Sequence, residues 1–367
     1  EEGVSIFSQL LARRGRLRET QIREVLSSSP WPARNPSQNI RDLKAQVAAC
    51  ETGIREMDRM VAEFGIDSVR AYMGHVQDNA AESVRSVLDR LPDGEFTSAL
   101  DDGSEVRVAI RVNRALRSAI VDFTGTSPQR SNNFNAPPAV ARAAVLYVFR
   151  CLIDDDIPLN TGCLKPLKII LPARSLVNPE PGCAVAAGNV ETSQLIADAL
   201  FGATGALAAS QGSMNNFSFG DSTQQYYETL CGGAGAGPGF SGASAVHTHM
   251  TNSRLTDVEV LESRTPVIVE SFAIRHGSGG KGAWWGGEGV VRRLRFTAPV
   301  RASLLSGRRV SAPHGLNGGN AGAPGRGWIE RVAGGRENLP GSAEADLAPG
   351  DVLVIETPGG GGYGNAN

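Results

Sequence analysis

Two histidines stand two residues apart in the run Ser244-Ala-Val-His-Thr-His-Met-Thr-Asn-Ser-Arg-Leu-Thr-Asp257, which sets two imidazoles, an amide, a guanidinium and a carboxylate among several hydroxyls. A hydrophobic core does not favour that mix. In an extended segment His247 and His249 project from one face, and Thr251, Asn252 and Asp257 follow within reach of whatever that face binds. Neutral imidazole is a common metal ligand and titrates near neutral pH, so the pair suits a metal site or general acid–base work. The structural alternative is two histidines satisfied by neighbouring carboxylates or carbonyls. Spacing supplies no third ligand beyond the nearby Asp257 and Glu259. His75 and His314 are isolated and read as structural.

A second group is Ser210-Gln-Gly-Ser-Met-Asn-Asn-Phe-Ser-Phe-Gly220, followed by Tyr226-Tyr-Glu-Thr229 and Gly232-Gly-Ala-Gly-Ala-Gly237. Asn215 and Asn216 each offer a donor and an acceptor, as a small amide or carboxylate substrate requires; the alternative is a turn between apolar segments. Glu228 is a candidate acid or base. In Gly188-Asn-Val-Glu-Thr-Ser-Gln194, Glu191 is either a buried acid or a charge at a helix N-terminus. No G-x-S-x-G elbow is present, which disfavours a covalent serine hydrolase.

The glycine clusters do not make a nucleotide site. Gly237-Pro-Gly239-Phe-Ser-Gly242 matches G-x-G-x-x-G, yet it leads into an extended segment where a helix N-terminus should receive the phosphates. Gly277-Ser-Gly-Gly-Lys281-Gly lacks the first glycine of a P-loop and the hydroxyl that follows its lysine. If ATP is used, another polypeptide or domain binds it.

The 367 residues, 41% hydrophobic and 20% charged, suffice for one large or two ordinary soluble domains. A net charge of -2 gives no footprint for nucleic acid or an anionic membrane. No window reaches the roughly 20 apolar residues of a membrane span, and the first residues do not resemble a secretory leader. Five scattered cysteines without C-x-x-C read as reduced thiols of a cytosolic protein. The 44 glycines and 20 prolines gather after Gly202, which points to loop-rich β structure with tight turns or close approaches.

These side chains need elements to hold them. Residues 1–36 read as an arm or linker. Ile40, Leu43, Val47, Cys50, Ile54, Met57 and Val61 form a heptad stripe, and Val69, Met73, Val76, Ala80, Val84, Val87 and Leu91 a second, so residues 37–92 are expected to form an antiparallel helical hairpin turning at Gly65. It packs on the rest of the fold or, alternatively, on a coiled-coil partner. From Glu105 the period becomes two. Helices are expected from Pro137 to Ile153 and Glu191 to Leu207, and strands at Leu167–Leu171, Ser244–His249, Val267–Arg275, Val290–Phe296, Val300–Ser306 and Val352–Glu356. The class is α+β, with a glycine-rich mixed body over residues 93–367 whose C-terminal half is mainly β.

Taken in order, Gly188-Asn-Val-Glu-Thr-Ser-Gln, Ser210-Gln-Gly-Ser-Met-Asn-Asn, Tyr226-Tyr-Glu-Thr, Val246-His-Thr-His-Met-Thr-Asn-Ser-Arg-Leu-Thr-Asp, Arg275-His-Gly-Ser-Gly-Gly and Thr357-Pro-Gly-Gly-Gly-Gly-Tyr-Gly resemble the C-terminal part of the hydantoinase B / 5-oxoprolinase family. Asp42-Leu-Lys-Ala-Gln-Val-Ala-Ala and Ala71-Tyr-Met-Gly-His-Val-Gln are most similar to its 5-oxoprolinase branch. The resemblance implies an ATP-dependent cyclic amidohydrolase, converting 5-oxo-L-proline to L-glutamate. In that family a kinase-like hydantoinase A portion binds ATP and magnesium, and the B portion handles the lactam. It also implies that the family's B portion begins before the residue matching Glu1 and carries an Asp/His divalent-metal cluster there. The expected site comprises His247, His249, Asp257 and Glu228 as catalytic groups, and Asn215, Asn216, Thr251 and Asn252 as substrate contacts. A hydantoinase or ketone-carboxylase type of subunit, or a non-catalytic scaffold for the ATP-binding portion, is the alternative. Self-association, or association with the rest of the family's B portion, is expected through a surface that includes residues 1–36.

Overall fold

The first 36 residues, expected as an arm, fold on themselves. In the computed structural model, which describes all residues except 1–3, 5, 7, 30, 34, 223, 252 and 367, Ala12–Arg13 (β1) and Arg16–Leu17 (β2) pair antiparallel. Arg14 and Gly15 between them both take positive φ, 51° and 74°, the geometry of a two-residue hairpin turn. Helix α1 (Glu19–Ser27) then buries Ile22 and Leu26 against Ile40. Asn35 caps the next helix, its side chain accepting from Gln38 N at 3.1 Å, and Pro36 occupies the first turn. That helix, α2 (Pro36–Phe64), is followed after Gly65 by α3 (Ile66–Leu88). Both expected helices are formed, and they meet at Gly65 as expected. Within the N-terminal unit, Glu1–Ala80, the start of α2 packs against α1. Gly65 has φ 81° and ψ 149°, which ends α2, and Ile54, Phe64, Met73 and Val76 are exposed.

The second unit, Ala81–Asn367, holds three sheets. β3 (Gly94–Ala99), β4 (Glu105–Asn113) and β5 (Ser118–Asp122) form a meander. Helix α4 (Pro138–Cys151) then carries the chain to β6 (Leu167–Ile170), which joins β5 in parallel. Helix α5 (Thr192–Thr204) lies on β3 and β4 with α4 beside it. The approach is close: a Cβ on Gly202 would fall 2.7 Å from the Phe96 ring. Buried on nearly every side, α5 is apolar all round except for a few polar groups.

β7 (Asn216–Gly220) and β8 (Gln225–Thr229) follow, then the short helix α6 (Val258–Arg264) and the strands β9 (Val267–Arg275), β10 (Gly289–Phe296), β11 (Val300–Leu305), β12 (Arg326–Glu330), β13 (Arg336–Leu339), β14 (Ser342–Leu347) and β15 (Val352–Glu356). They make one sheet ordered β14-β11-β7-β8 and another ordered β13-β12-β15-β10-β9. Phe217 and Phe219 of β7, Leu294 and Phe296 of β10, Leu304 of β11 and Ile355 of β15 share one core. The fold is α+β, as the periodicities imply. β12 to β14 went unforeseen because they are short and carry no shared period: β12 buries Gly327, Trp328 and Ile329 in a row, β13 is polar and largely exposed, and only β14 alternates.

The glycines after Gly202 chiefly permit contact between backbones, beyond turning the chain. A Cβ on Gly360 would lie 1.9 Å from Ala234 O, and one on Gly286 would lie 2.0 Å from Gly360 O. Their amides bond across the segments, Gly360 N to Gly287 O at 2.9 Å and Gly361 N to Ala209 O at 2.8 Å. The closing Pro358–Gly364 run is thereby threaded through the middle of the unit.

Candidate functional site

Helix α5 is the platform. Gln194, Asp198 and Phe201 are spaced by four and three, and Glu191 stands three before Gln194 as the N-cap, so all four share one face. The run Ser210–Asn216 and the segment Val246–His249 cover that face. Gly212, at φ 63°, is required there: a Cβ would lie 2.3 Å from Arg308 Nε and 2.8 Å from Asp198 Oδ2.

Asp198 is fully buried and accepts from Ser210 N at 3.0 Å and from Arg308 Nη2 at 2.8 Å. His249 Nε2 lies 3.3 Å from Asp198 Oδ1, an ion-pair distance whose angle falls short of a hydrogen bond. Burial alone would raise the Asp198 carboxyl, but His249, Arg308 and His314 beside it outweigh that and hold it below its ordinary value. The other ring nitrogen of His249, Nδ1, is 3.2 Å from the Tyr147 hydroxyl, and the ring packs on Phe201 with centroids 5.2 Å apart. His249 is therefore held by its Nδ1 contact, by packing on Phe201 and by the charge of Asp198 near Nε2.

At the N-cap of the same helix, Glu191 is the second buried carboxyl. Its Oε1 accepts from Ser213 Oγ at 3.0 Å, Met214 N at 3.2 Å and Asn216 Nδ2 at 3.2 Å, while Oε2 has no hydrogen-bond partner. Burial pushes it up to about 8 against those bonds. Asn216 Oδ1 accepts from the Tyr227 hydroxyl at 2.5 Å. Asn215, at φ 45°, donates to Gln211 Oε1 at 2.9 Å and accepts from Arg309 Nη2 at 3.2 Å. Both asparagines are thus buried parts of the scaffold around Glu191.

The expected site residues do not form one constellation. The Ser244–His249 segment is no strand: only Val246 bridges, to Gly232, and Ala245 and His249 both take φ 54°. With alternation broken, His249 goes into the Asp198 pocket while His247 stays half-buried, its Nδ1 without a protein partner. Burial lowers the His247 pKa. Glu228 is committed elsewhere, in a buried ion pair with Arg292 Nη2 at 3.3 Å and a bond from the Tyr226 hydroxyl at 2.9 Å. Asp257 is the exposed N-cap of α6, accepting from Glu259 N at 2.9 Å and Val260 N at 3.3 Å. Thr251 bonds to Ser253 in its own turn. Asn252 lies outside the described residues.

Spacing along the chain did not point to Asp198, Gln194 or Gln211. Gln194 Nε2 donates to Thr248 O at 2.9 Å, tying α5 to the histidine segment. The available signal was a lone acid in the middle of an otherwise apolar helix. On these segments Glu191 Oε2, Gln194 Oε1, Gln211 Nε2, His247 Nδ1 and Thr248 Oγ1 are buried or half-buried and have no hydrogen-bond partner among the described residues. Each such group costs on the order of 1–3 kcal/mol while it stays unpaired.

Gly237 and Phe240 close a turn on each other, Gly277 N donates to Glu288 Oε1 at 2.6 Å, and Gly280 N donates to Gly360 O at 2.8 Å. Their amides are spent inside the fold. Among the described residues no three His, Cys, Asp or Glu side chains converge as a metal site, and no helix is long and apolar enough to cross a membrane.

Residues 1–366 match the hydantoinase B/oxoprolinase family. A 5-oxoprolinase of Dictyostelium discoideum is 41% identical over 373 residues, covering 99% of this chain and 29% of that protein. The ATP-dependent caprolactamase from Pseudomonas jessenii superposes with a TM-score of 0.81 at 24% identity, over 97% of this chain and 65% of that one. Acetone carboxylase in its nucleotide-free structure gives a TM-score of 0.82 at 15% identity, over 97% of this chain and 56% of that one. The chain spans less than a third of the curated relative it matches.

Proposed function

Because the chain belongs to the hydantoinase B/oxoprolinase family, we propose that it forms part of an ATP-dependent 5-oxoprolinase of the cytoplasm and takes part in opening 5-oxo-L-proline to L-glutamate. The observation that supports this reading is the set of unpartnered polar atoms on α5 and on the segments packed against it, in a chain that matches a 5-oxoprolinase at 41% identity.

An unactivated lactam is a poor electrophile. Transfer of the terminal phosphoryl group of ATP to its carbonyl oxygen, releasing ADP, makes that carbon electrophilic; water then adds to it, the C–N bond breaks as the ring nitrogen takes a proton, and the carboxyl phosphate so formed is hydrolysed by a second water to the carboxylate and inorganic phosphate. ATP and magnesium are assigned to a kinase-like portion outside this chain, and any divalent metal to a segment preceding it. Within the chain, His247 is the proton-transfer group: burial keeps its imidazole neutral, and Nδ1 is free to accept a proton from water. Glu191, neutral at pH 7, can donate from its free oxygen, and Gln194, Gln211 and Thr248 offer the amide and hydroxyl bonds a small lactam needs. Asp198, Tyr147 and Phe201 fix His249, which sets the direction of the segment carrying His247.

The test is reconstitution with the hydantoinase A-like portion, measuring ATP-dependent release of glutamate from 5-oxoproline. The proposal requires turnover that needs this chain and falls with His247→Ala. Turnover without the chain would make it a scaffold. ATP use stimulated by another small carbonyl compound, and not by 5-oxoproline, would place it with a hydantoinase or ketone-carboxylase type of subunit.

A further inference from the structure

Arg275 ends β9, and its surroundings follow from the register of the sheet. Arg326 of β12 and Val291 of β10 stand on either side of Glu356 of β15, so these three side chains share one face. It is the face opposite to that of Ile355, which lies in the core. Arg275 Nε lies 3.0 Å from Glu356 Oε2, and Arg326 Nε donates to the same oxygen at 2.5 Å. Two guanidiniums thus share one carboxylate, which leaves one positive charge over. His276 does not change that balance, because Glu288 stands 3.0 Å from its Nδ1.

Beside these groups lies a cavity of about 340 Å³, within the usual range of small-molecule pockets. Its charged wall is held in place: Arg275 Nη1 donates to Pro324 O at 2.8 Å and Thr357 O at 3.0 Å, and the side chain is 14% exposed. Donors remain to be used. Arg275 Nη2 and both terminal nitrogens of Arg326 have no hydrogen-bond acceptor among the described residues. Burial lowers the Arg275 pKa and the charge of Arg326 adds to that, with Glu356 opposing, so a second anion here would relieve a real repulsion. Ile274, Val291 and Ala323 also line the cavity and offer it carbon.

We propose that this cavity binds a small monocarboxylate, its charge held by Arg275 and Arg326 and its short aliphatic body laid against Ile274, Val291 and Ala323. One negative charge balances the excess, and the planar guanidinium matches a planar carboxylate. None of these residues belongs to α5 or to the segments packed on it, so the site is read by binding, without turnover. Calorimetric titration of the chain with sodium butyrate at fixed ionic strength is the test, with acetate and inorganic phosphate as comparisons. Saturable binding of butyrate at one site is expected, tighter than that of acetate or phosphate. Arg326→Gln, at a side chain 61% exposed, should leave the thermal midpoint nearly unchanged and weaken butyrate by about tenfold or more, the worth of a charge-assisted hydrogen bond. Glu356→Gln removes the competing carboxylate and should tighten butyrate by about tenfold. Absence of saturable butyrate binding would overturn the proposal, and so would equal binding by the Arg326→Gln protein or weaker binding by a folded Glu356→Gln protein. Phosphate bound in preference to butyrate would overturn the choice of a carboxylate with an apolar body.

Discussion

At the scale of single residues, the two histidines of the 247–249 segment have different duties. His247 has a nitrogen free, so His247→Ala should lower kcat of the complete enzyme by about 10²–10⁴-fold, the usual worth of a general acid or base, while leaving the thermal midpoint nearly unchanged. His249→Ala should instead cost about 1–3 kcal/mol in urea unfolding, because it strips a partner from a buried carboxylate and a buried hydroxyl. The opposite assignment of the two losses would exchange their roles. Glu228→Ala belongs with the second kind: stranding Arg292, which is 1% exposed, should cost about 3–5 kcal/mol. A stable but inactive Glu228→Ala protein would restore Glu228 to the reaction.

At the scale of elements, the glycine-rich threads and the long helices make opposite demands on the same residue type. Gly360→Ala would push a Cβ to within 1.9 Å of Ala234 O, between two backbones with no side chain to yield. A loss of about 3 kcal/mol or more is expected in chemical denaturation, the upper end of overpacking. Gly53 sits in the open on α2 with nothing within 4 Å. There Gly53→Ala should stabilise the helix by about 0.5–1 kcal/mol, through helix propensity and the entropy of the unfolded chain. Equal effects at the two positions would mean that the threads can separate to admit a methyl group.

At the scale of the whole molecule, buried ionisable groups set how stability follows pH. Glu191 is raised from an ordinary 4.5 to about 8, so the folded state holds its proton where the unfolded chain has lost it, and stability falls as pH rises from about 4.5 to about 8. His314 is lowered to about 4 by burial; here the unfolded chain binds the extra proton, and stability is lost as pH falls from about 6.5 towards 4. Between about 4.5 and 6.5 the two slopes oppose each other, and above 6.5 only that of Glu191 remains. Glu191→Gln should therefore flatten the alkaline limb of a plot of unfolding free energy against pH and expose the acid limb. An unchanged alkaline limb would show that Glu191 is ionised in the folded protein.

Much of this was legible in one dimension. The heptad stripes required α2 and α3, the switch to period two required β4, and a proline pair began α4, because local periodicity and backbone restriction act over a few residues. The motif strings between Gly188 and Gly364 carried the family. What spacing could not show was where Gly65 would send α3, or that positive φ at Ala245 and His249 would separate the histidine pair that alternation puts on one face. Nor could it show which carboxylates are spent: Glu228 on Arg292 and Asp257 on its own helix, leaving Glu191 with an open oxygen. Asp257 is spent locally, but the fates of His249 and Glu228 rest on partners more than 50 residues away in the chain, Asp198 and Arg292. Local sequence determines which groups are available; tertiary packing decides which of them are consumed, since burial makes every nearby donor, acceptor and charge compete for the same few partners.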